Sequence, residues 1–325
     1  MKPATKARDI DPDDNSQQVL SVSRNLIESL GYIDQINALK TFIHEWVEQS
    51  DAEIKNLLAW QFEGNSKFFR PITMFACYDA VATIPVDKQL LSRVAALELF
   101  HNVSLIIDDI LDRSRTRRGK TTLHCKFGNL SALMVSGYIT AEGFKIVHDD
   151  SYAIDRLAEL LKRLGVAECM QWRLRRHPLG VEDWRTIAGE DTGSMFEVAA
   201  CMATRSETLR RYGHFLGLLY HGCDDVSDVR GSLALGGGGD EDIRDGILTL
   251  PVSLAIKDSK FALKFREGNF SDIDYVTSKL NTVLPEAEAY LDRIAQEACN
   301  EAIKVSRTPE KLLTLVQHTR DLSRV

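Results

Sequence analysis

The chain has 325 residues, 44% hydrophobic and 27% charged, with a formal net charge of −7 and a pI near 5.7. That composition belongs to a soluble globular protein long enough to bury a large core without disulfide or metal staples. Its acidity argues against a nucleic-acid partner, which favours a basic surface. Six scattered cysteines (Cys77, Cys125, Cys169, Cys201, Cys223, Cys299) lack CxxC spacing and read as buried, reduced thiols of a cytoplasmic protein. No amino-terminal apolar h-region and no run of about 18 apolar residues marks a membrane anchor.

Residues 1–15 are polar, with Pro3 and Pro12, and read as a flexible tail. From residue 16 to 325 apolar side chains recur at three- and four-residue spacing, which predicts an all-α single domain of roughly a dozen helices. Along it, Gly64-Asn65-Ser66-Lys67-Phe68-Phe69-Arg70-Pro71 offers a glycine turn, two cations three apart and a helix-initiating proline. The clearest helix spans Lys88 to Asp112, carried by Leu90, Leu91, Val94, Leu97, Phe100, Val103, Ile107 and Ile110. Arg113-Ser114-Arg115-Thr116-Arg117-Arg118-Gly119-Lys120 follows, a basic run beside acidic residues that reads as a local anion site, as does Arg173–Arg176. A second clear helix runs from about Leu209 to Val229, and the longest irregular stretch, Gly231 to Gly246, carries four consecutive glycines at 236–239.

The first of these helices ends in Asp108-Asp109-Ile110-Leu111-Asp112, which places Asp108 and Asp112 on one face. Like charges at that spacing repel, and a helix C-terminus disfavours anions. A bound cation offsets both penalties, although one such cluster by itself reads equally well as a solvated helix end. Asp224-Asp225-Val226-Ser227-Asp228 repeats the DDxxD pattern 116 residues later, again at the end of an apolar helix. Two such clusters facing one cleft suit magnesium, which bridges carboxylates to substrate phosphates. Arginines nearby match phosphate geometry.

Taken together, these segments resemble the trans-isoprenyl diphosphate synthases (polyprenyl synthetases), over about residues 25 to 320. The most specific stretch is Leu99–Asp112, followed by Arg117-Arg118-Gly119 and His124, and it looks like the first motif of geranylgeranyl-type synthases. Asp224–Asp228 and Leu248-Thr249-Leu250-Pro251 match as well. The resemblance implies an isoprenoid-synthase-type helical bundle around a central cavity, a homodimer and three magnesium ions. It implies Asp108, Asp112 and Asp224 as main metal ligands, supported by Asp109, Asp225 and Asp228. Arg117 would hold the allylic diphosphate, with Thr192 and Gln171 on the same side. Lys67, Arg70, His101 and Arg118 would hold isopentenyl diphosphate. A histidine on an apolar helix face is more often a core residue, which is the alternative reading of His101.

The chain departs from the family pattern mainly on the allylic side. Where the family has lysines, this chain has Asp191 before Thr192-Gly193, Gly238 or a neighbour in the later loop, and Ile247-Leu248 before Thr-Leu-Pro. The glutamine three residues before the second motif is His221, and the acidic residue three beyond Gln171 is Leu174. The start of the basic segment, a double glycine, lysine and arginine in the family, reads Gly64-Asn65-Ser66-Lys67-Phe68. Each lost lysine removes a charge-assisted contact worth about 1.5–3 kcal/mol. Arg175, one turn beyond Gln171, shares its face and with a protonated His221 would replace part of that charge. The alternative is a solvated helix end formed by Arg173, Arg175 and Arg176.

Three functions remain open on these residues. The chain is an elongating prenyltransferase with a rewired allylic site, a synthase-like terpene cyclase, or a subunit that tunes a partner synthase. Elongation leads, because a cyclase has no need of Lys67, Arg70 and Arg118, and a structural subunit has no reason to keep two repelling clusters. In the family it resembles, bulky residues four and five positions before the first aspartate close the cavity floor. Here these are the small Ser104 and Val103, and Phe100 one turn further would set the next floor, so the resemblance implies a product near C20.

Overall fold

The computed structural model describes residues 24–64, 66–82, 88–231, 241–269 and 272–324. The polar tail at residues 1–15, the four glycines and Asn65 lie outside them. Among the described residues a short helical stretch at 24–30 leads into α1 (Ile33–Gln49), α2 (Ala52–Phe62), α3 (Phe69–Val81) and α4 (Lys88–Leu111). A small hairpin, β1 (Thr116–Arg117) and β2 (Lys120–Thr121), precedes α5 (Leu123–Phe127), α6 (Asn129–Ile146), α7 (Ser151–Leu174) and α8 (Val181–Ala188). A π-helical turn (Gly189–Gly193) joins α8 to α9 (Ser194–Thr204) and is followed by α10 (Arg210–Arg230) and α11 (Glu241–Asp245). The chain closes with α12 (Leu250–Ala255), α13 (Ser259–Glu267), α14 (Ile273–Val305) and α15 (Glu310–Leu322). The all-α expectation holds, and the two helices read most clearly from sequence begin and end within one residue of their predicted limits.

Helix α4 is apolar on nearly every face, with Leu90, Val94, Leu97, Leu99, Phe100, Val103 and Ile106 all buried, the pattern of a helix enclosed by others. By length and composition it also passes for a membrane span, contrary to the reading that no such run exists. Yet 72% of its most apolar window is buried inside the bundle, as for a core helix. Helix α9 is buried throughout from Ser194 to Ala203. Helix α10 packs Tyr212, Phe215, Leu216, Leu219 and Cys223 inward. Gly217 lets α10 approach the π-helical turn, since a Cβ there would lie 2.7 Å from the Thr192 carbonyl oxygen.

Charged pairs tie the long helices at their ends. Arg93 on α4 meets Asp150 at 3.2 Å, and Asp150 also caps α7 by accepting from the Ala153 amide. Glu197 on α9 gathers Arg163, Arg210 and His214. Of the cysteines, all free, Cys77, Cys201 and Cys223 are buried as expected, whereas Cys125 and Cys169 are exposed.

Candidate active site

Both acidic motifs occupy the last turns of their helices, α4 and α10, and neighbouring charges show that they face one cleft. Arg117 acts on Asp108, Asp109 and Asp224 alike, and Asp242 feels Asp112, Asp224 and Asp225 together. Burial first, then Asp191, Glu168 and Asp112, pushes the Asp108 carboxyl well above the usual range. Burial lifts Asp224 to about 6, with Lys67 pulling the other way and Asp225 adding to the rise. Glu168 on α7 rises to about 7 through burial and the nearby Asp191 and Asp112. Sequence reading passed over Glu168 and Asp242. Glu168 lies three residues before Gln171, so the helical face already assigned to Gln171 and Arg175 held the signal.

The residues fit a divalent cation. Asp224 Oδ1 is buried with no hydrogen-bond partner, and the carboxyls around it are held up by one another's charge. No trio of His, Cys, Asp or Glu side chains among the described residues is grouped tightly enough to hold a metal alone.

Asp225, Asp109 and, from the opposite wall, Asp112 have other partners. Asp225 is buried, and its Oδ2 accepts from Trp184 Nε1 and from the Leu250 amide, both at 2.8 Å. It braces α10 against α8 and α12 through Oδ2, while Oδ1 is turned towards His221. Asp109, also buried, pairs with Arg117 Nε at 2.8 Å. Asp228 is half-buried in the last turn of α10.

The cationic side is built by the hairpin and by α3. Arg118 and Gly119 form its two-residue turn with φ of 53° and 76°, a pair of left-handed residues that matches the twist of tight hairpins. Lys120 moors the hairpin to α2, its Nζ donating to the Trp60 and Glu63 carbonyls at 2.6 Å, while Trp60 Nε1 donates back to Thr121. Arg70 Nη1 lies 3.1 Å from His101 Nε2. A guanidinium only donates, so Nε2 accepts and the proton sits on Nδ1. Burial, with Arg70, Arg118 and Arg117, holds the His101 pKa well below its ordinary value. Lys67, lowered to about 8 by burial, feels both Asp224 and Arg118 and so stands between the two sides of the cleft. Glu98, unnoticed in the sequence, is buried beside Arg70 and Arg118 and accepts from Ser66 Oγ at 3.1 Å. A pocket of about 470 Å³ opens here, lined by Ser66, Phe68, Glu98, His101, Arg117 and Arg118 among others.

On the opposite wall the three arginines after Gln171 separate. Arg173 is exposed, and Arg176 donates to the Arg244 carbonyl. Arg175 turns into the cleft, reaches Asp112 Oδ1 at 2.8 Å and stacks over Trp172. The solvated-end alternative therefore fails for Arg175. Gln171 is half-buried one turn earlier. Asp191 and Thr192, in the π-helical turn, meet His221 of α10. Thr192 Oγ1 lies 2.9 Å from His221 Nδ1, and Asp191 Oδ2 lies 3.5 Å from it.

Below the first motif, Val103 is buried and Ser104 Oγ donates to the His101 carbonyl. Phe100 is packed into α6 rather than standing free beneath a cavity. Its ring is T-shaped on Phe144 at 5.1 Å and presses on Gly143.

This architecture, helices enclosing a cleft with aspartates at two facing helix ends, is the all-α fold of the isoprenoid synthases. The polyprenyl synthetase family model matches residues 51–281, and the chain belongs to that family. Among its relatives, the short chain isoprenyl diphosphate synthase of Methanocaldococcus jannaschii is 28% identical over 238 residues, covering 67% of this chain and 69% of that protein. The octaprenyl diphosphate synthase of Escherichia coli is 26% identical over 216 residues, covering 62% and 66%. The fold is shared with the heptaprenyl diphosphate synthase of Staphylococcus aureus, with a TM-score of 0.80, 19% identity and 89% and 97% of the two chains covered. It is shared too with a Caulobacter crescentus polyprenyl synthase complexed with calcium and isoprenyl diphosphate. There the TM-score is 0.78, the identity 23% and the coverage 94% and 97%.

Proposed function

We propose that the protein is a magnesium-dependent trans-prenyltransferase that joins an allylic diphosphate to isopentenyl diphosphate and releases a prenyl diphosphate of about C20. What supports this reading is that Arg117 acts on Asp108 and Asp109 of the first motif and on Asp224 of the second, while Lys67 acts on Asp224 and feels Arg118, and Arg70 lies against His101. A single-substrate cyclase would leave that cationic group without a ligand.

Asp108, Asp112 and Asp224 would hold magnesium, three ions by family resemblance, which supplies positive charge to the leaving diphosphate. Arg117 stands between the motifs, where it neutralises the allylic diphosphate as the C1–O bond breaks and the electron pair leaves with oxygen. Lys67, Arg70 and Arg118 orient the acceptor by its diphosphate, so its double bond meets C1 at a fixed angle. His101, neutral and locked against Arg70, contributes its Nδ1–H rather than a charge. The tertiary cation then loses a proton, for which the departed diphosphate is the nearest base.

A homodimer is part of this reading. Its support is a set of exposed apolar side chains: Leu130, Leu133 and Met134 on α6, Val166 and Trp172 on α7.

Purified protein with magnesium, isopentenyl diphosphate and C5 to C20 allylic diphosphates tests the proposal, with products read by mass spectrometry before and after phosphatase. A longer prenyl alcohol that requires isopentenyl diphosphate supports it and gives the chain length. Hydrocarbon formed without isopentenyl diphosphate replaces it with a cyclase, and no product from any substrate replaces it with a partner-tuning subunit.

A further inference from the structure

Just past the end of α7, Arg176 grips a segment that the roles above do not explain. Helix α11 (Glu241–Asp245) is a single short turn, too brief to stand without outside support. Of its residues 242–245 only Ile243 is buried, so apolar packing holds it weakly. The carbonyls at a helix C-terminus have no partners of their own, and here one residue supplies them. The Arg176 amide donates to the Gly246 carbonyl at 2.8 Å, and Arg176 Nη2 donates to the Arg244 carbonyl. Nη1 is buried against Gly268 with no hydrogen-bond partner, so those carbonyls, and no carboxylate, fix the guanidinium.

Further features separate this from ordinary loop packing. Arg176 has φ of 63°, a left-handed conformation that is strained for any residue but glycine and persists only where the surroundings impose it. Gly246 and Gly268, with φ of 77° and 64°, leave room for it, since a Cβ on either would collide with Arg176. Arg175, the preceding residue, reaches Asp112 of the first motif at 2.8 Å. Helix α11 itself carries Asp242, which stands within electrostatic reach of Asp225, Asp224 and Asp112. The end of α7 is therefore tied by one arginine to the first motif and by the next to the segment that follows the second.

We infer that Arg176 is a positioning residue for the cation site: it caps α11 and thereby holds the Asp242 carboxylate against Asp112 and Asp224. The carboxylates that Asp242 faces repel it, and a single helical turn has little of its own with which to resist them. Arg176 touches neither metal nor substrate and acts through α11 alone. The inference rests on the proposed reading of the cleft as a site for magnesium and diphosphate. It makes positions 176 and 242 interdependent, which is testable without turnover.

The test titrates magnesium into the full chain with saturating inorganic diphosphate, read by calorimetry. Amide hydrogen exchange over residues 242–247 is followed by mass spectrometry, and folding is checked by melting without metal. Asp242→Asn weakens magnesium binding about 10- to 100-fold, the range for residues that support a metal's ligands. Arg176→Ala weakens it to the same extent and speeds exchange over 242–247, whereas Arg173→Ala, exposed at the end of α7, does neither. Arg176→Ala/Asp242→Asn binds no more weakly than Asp242→Asn alone, since Arg176 acts through Asp242. Arg176→Lys, which can reach one carbonyl but cannot also lie over Gly268, falls between parent and Arg176→Ala. Gly268→Asn tolerates the left-handed backbone, yet its Cβ displaces the guanidinium, so it binds magnesium as weakly as Arg176→Ala. The KM for isopentenyl diphosphate stays within about twofold throughout, as for sites that share no partners. Parental magnesium affinity in Arg176→Ala, or additive losses in the double variant, would overturn the inference. If Arg176→Ala fails to melt cooperatively, Arg176→Lys and Gly268→Asn decide. A parent that binds magnesium with diphosphate but makes no longer prenyl diphosphate sinks the elongation reading and leaves this test standing; a parent that binds neither overturns both.

Discussion

The guanidinium of Arg175, just beyond the last turn of α7, lies 2.8 Å from a carboxylate oxygen of Asp112 in the first aspartate motif. A cation therefore reaches the edge of the cleft that carries the first aspartate motif, on the side where the family pattern has lysines that this chain lacks. Arg175→Ala should lower kcat/KM for the allylic diphosphate about 10- to 100-fold and spare the acceptor KM. Steady-state kinetics with each substrate varied in turn checks this, and unchanged allylic kinetics would remove Arg175 from the site.

Asp224 and Asp112 are expected to be indispensable to turnover and dispensable to folding. Asp224→Asn or Asp112→Asn should lower kcat on the order of 10²–10³-fold. Asp224 Oδ1 is buried without a partner, so its neutral replacement should melt no lower than the parent in the absence of metal. A cooperative melt several degrees below the parent would give Asp224 a structural role instead.

Asp225 behaves in the opposite sense. Truncation in Asp225→Ala strands the Trp184 indole N–H and the Leu250 amide in the interior, a loss of about 2–4 kcal/mol. Asp225→Asn retains an oxygen acceptor and should lose less. Urea unfolding of the two variants against the parent measures both; equal destabilisation would mean the charge matters more than the acceptor.

Product length is expected to respond at Val103, buried on the first motif's helix. Val103→Phe should shorten the main product by at least one isoprene unit, read by mass spectrometry of the alcohols. An unchanged product would place the growing chain elsewhere.

Metal and protons should compete. A carboxyl whose folded pKa exceeds its unfolded one binds protons more tightly when folded, so its stabilising contribution falls as pH rises between the two values. Burial holds Glu168 at about 7, Asp224 at about 6 and Asp108 well above its ordinary value. These groups lower the stability of the metal-free protein as pH climbs from about 4 to 7. Magnesium relieves the same repulsion only once they are ionised. The rise in Tm on adding magnesium should therefore be larger at pH 7.5 than at pH 5.5; equal rises would show that these carboxyls do not hold it.

The two motif helices were legible because both signals are local: a 3.6-residue apolar period and two aspartates one turn apart. Lys67, Arg70 and Arg118 came from the family resemblance, since a basic helix start taken alone reads equally well as solvated. What escaped depends on contacts across the fold. Glu168 is an unremarkable residue on a long amphipathic helix until α7 packs beside α4. Glu98 lies in an apolar stretch, and only the loop before α3 brings Ser66 to it. Asp225 shares its motif with Asp224, and nothing in the spacing tells that Trp184, forty-one residues earlier, claims its oxygen. Phe100 obeys the helical period, yet its ring is directed by Gly143 and Phe144 on another helix.

Lys120 has a consequence for how this site can be altered. Its ammonium closes the end of α2, so the hairpin bearing Arg117 and Arg118 hangs from the helix that opens the loop to Lys67 and Arg70. The two halves of the cationic clamp are more than forty residues apart in sequence but share one mounting point. A chimera that swaps either segment alone would set parts from two machines on a single bracket. Residues 60–71 and 113–122 therefore form the smallest transplantable unit, and a loop-length change in either one is felt by both.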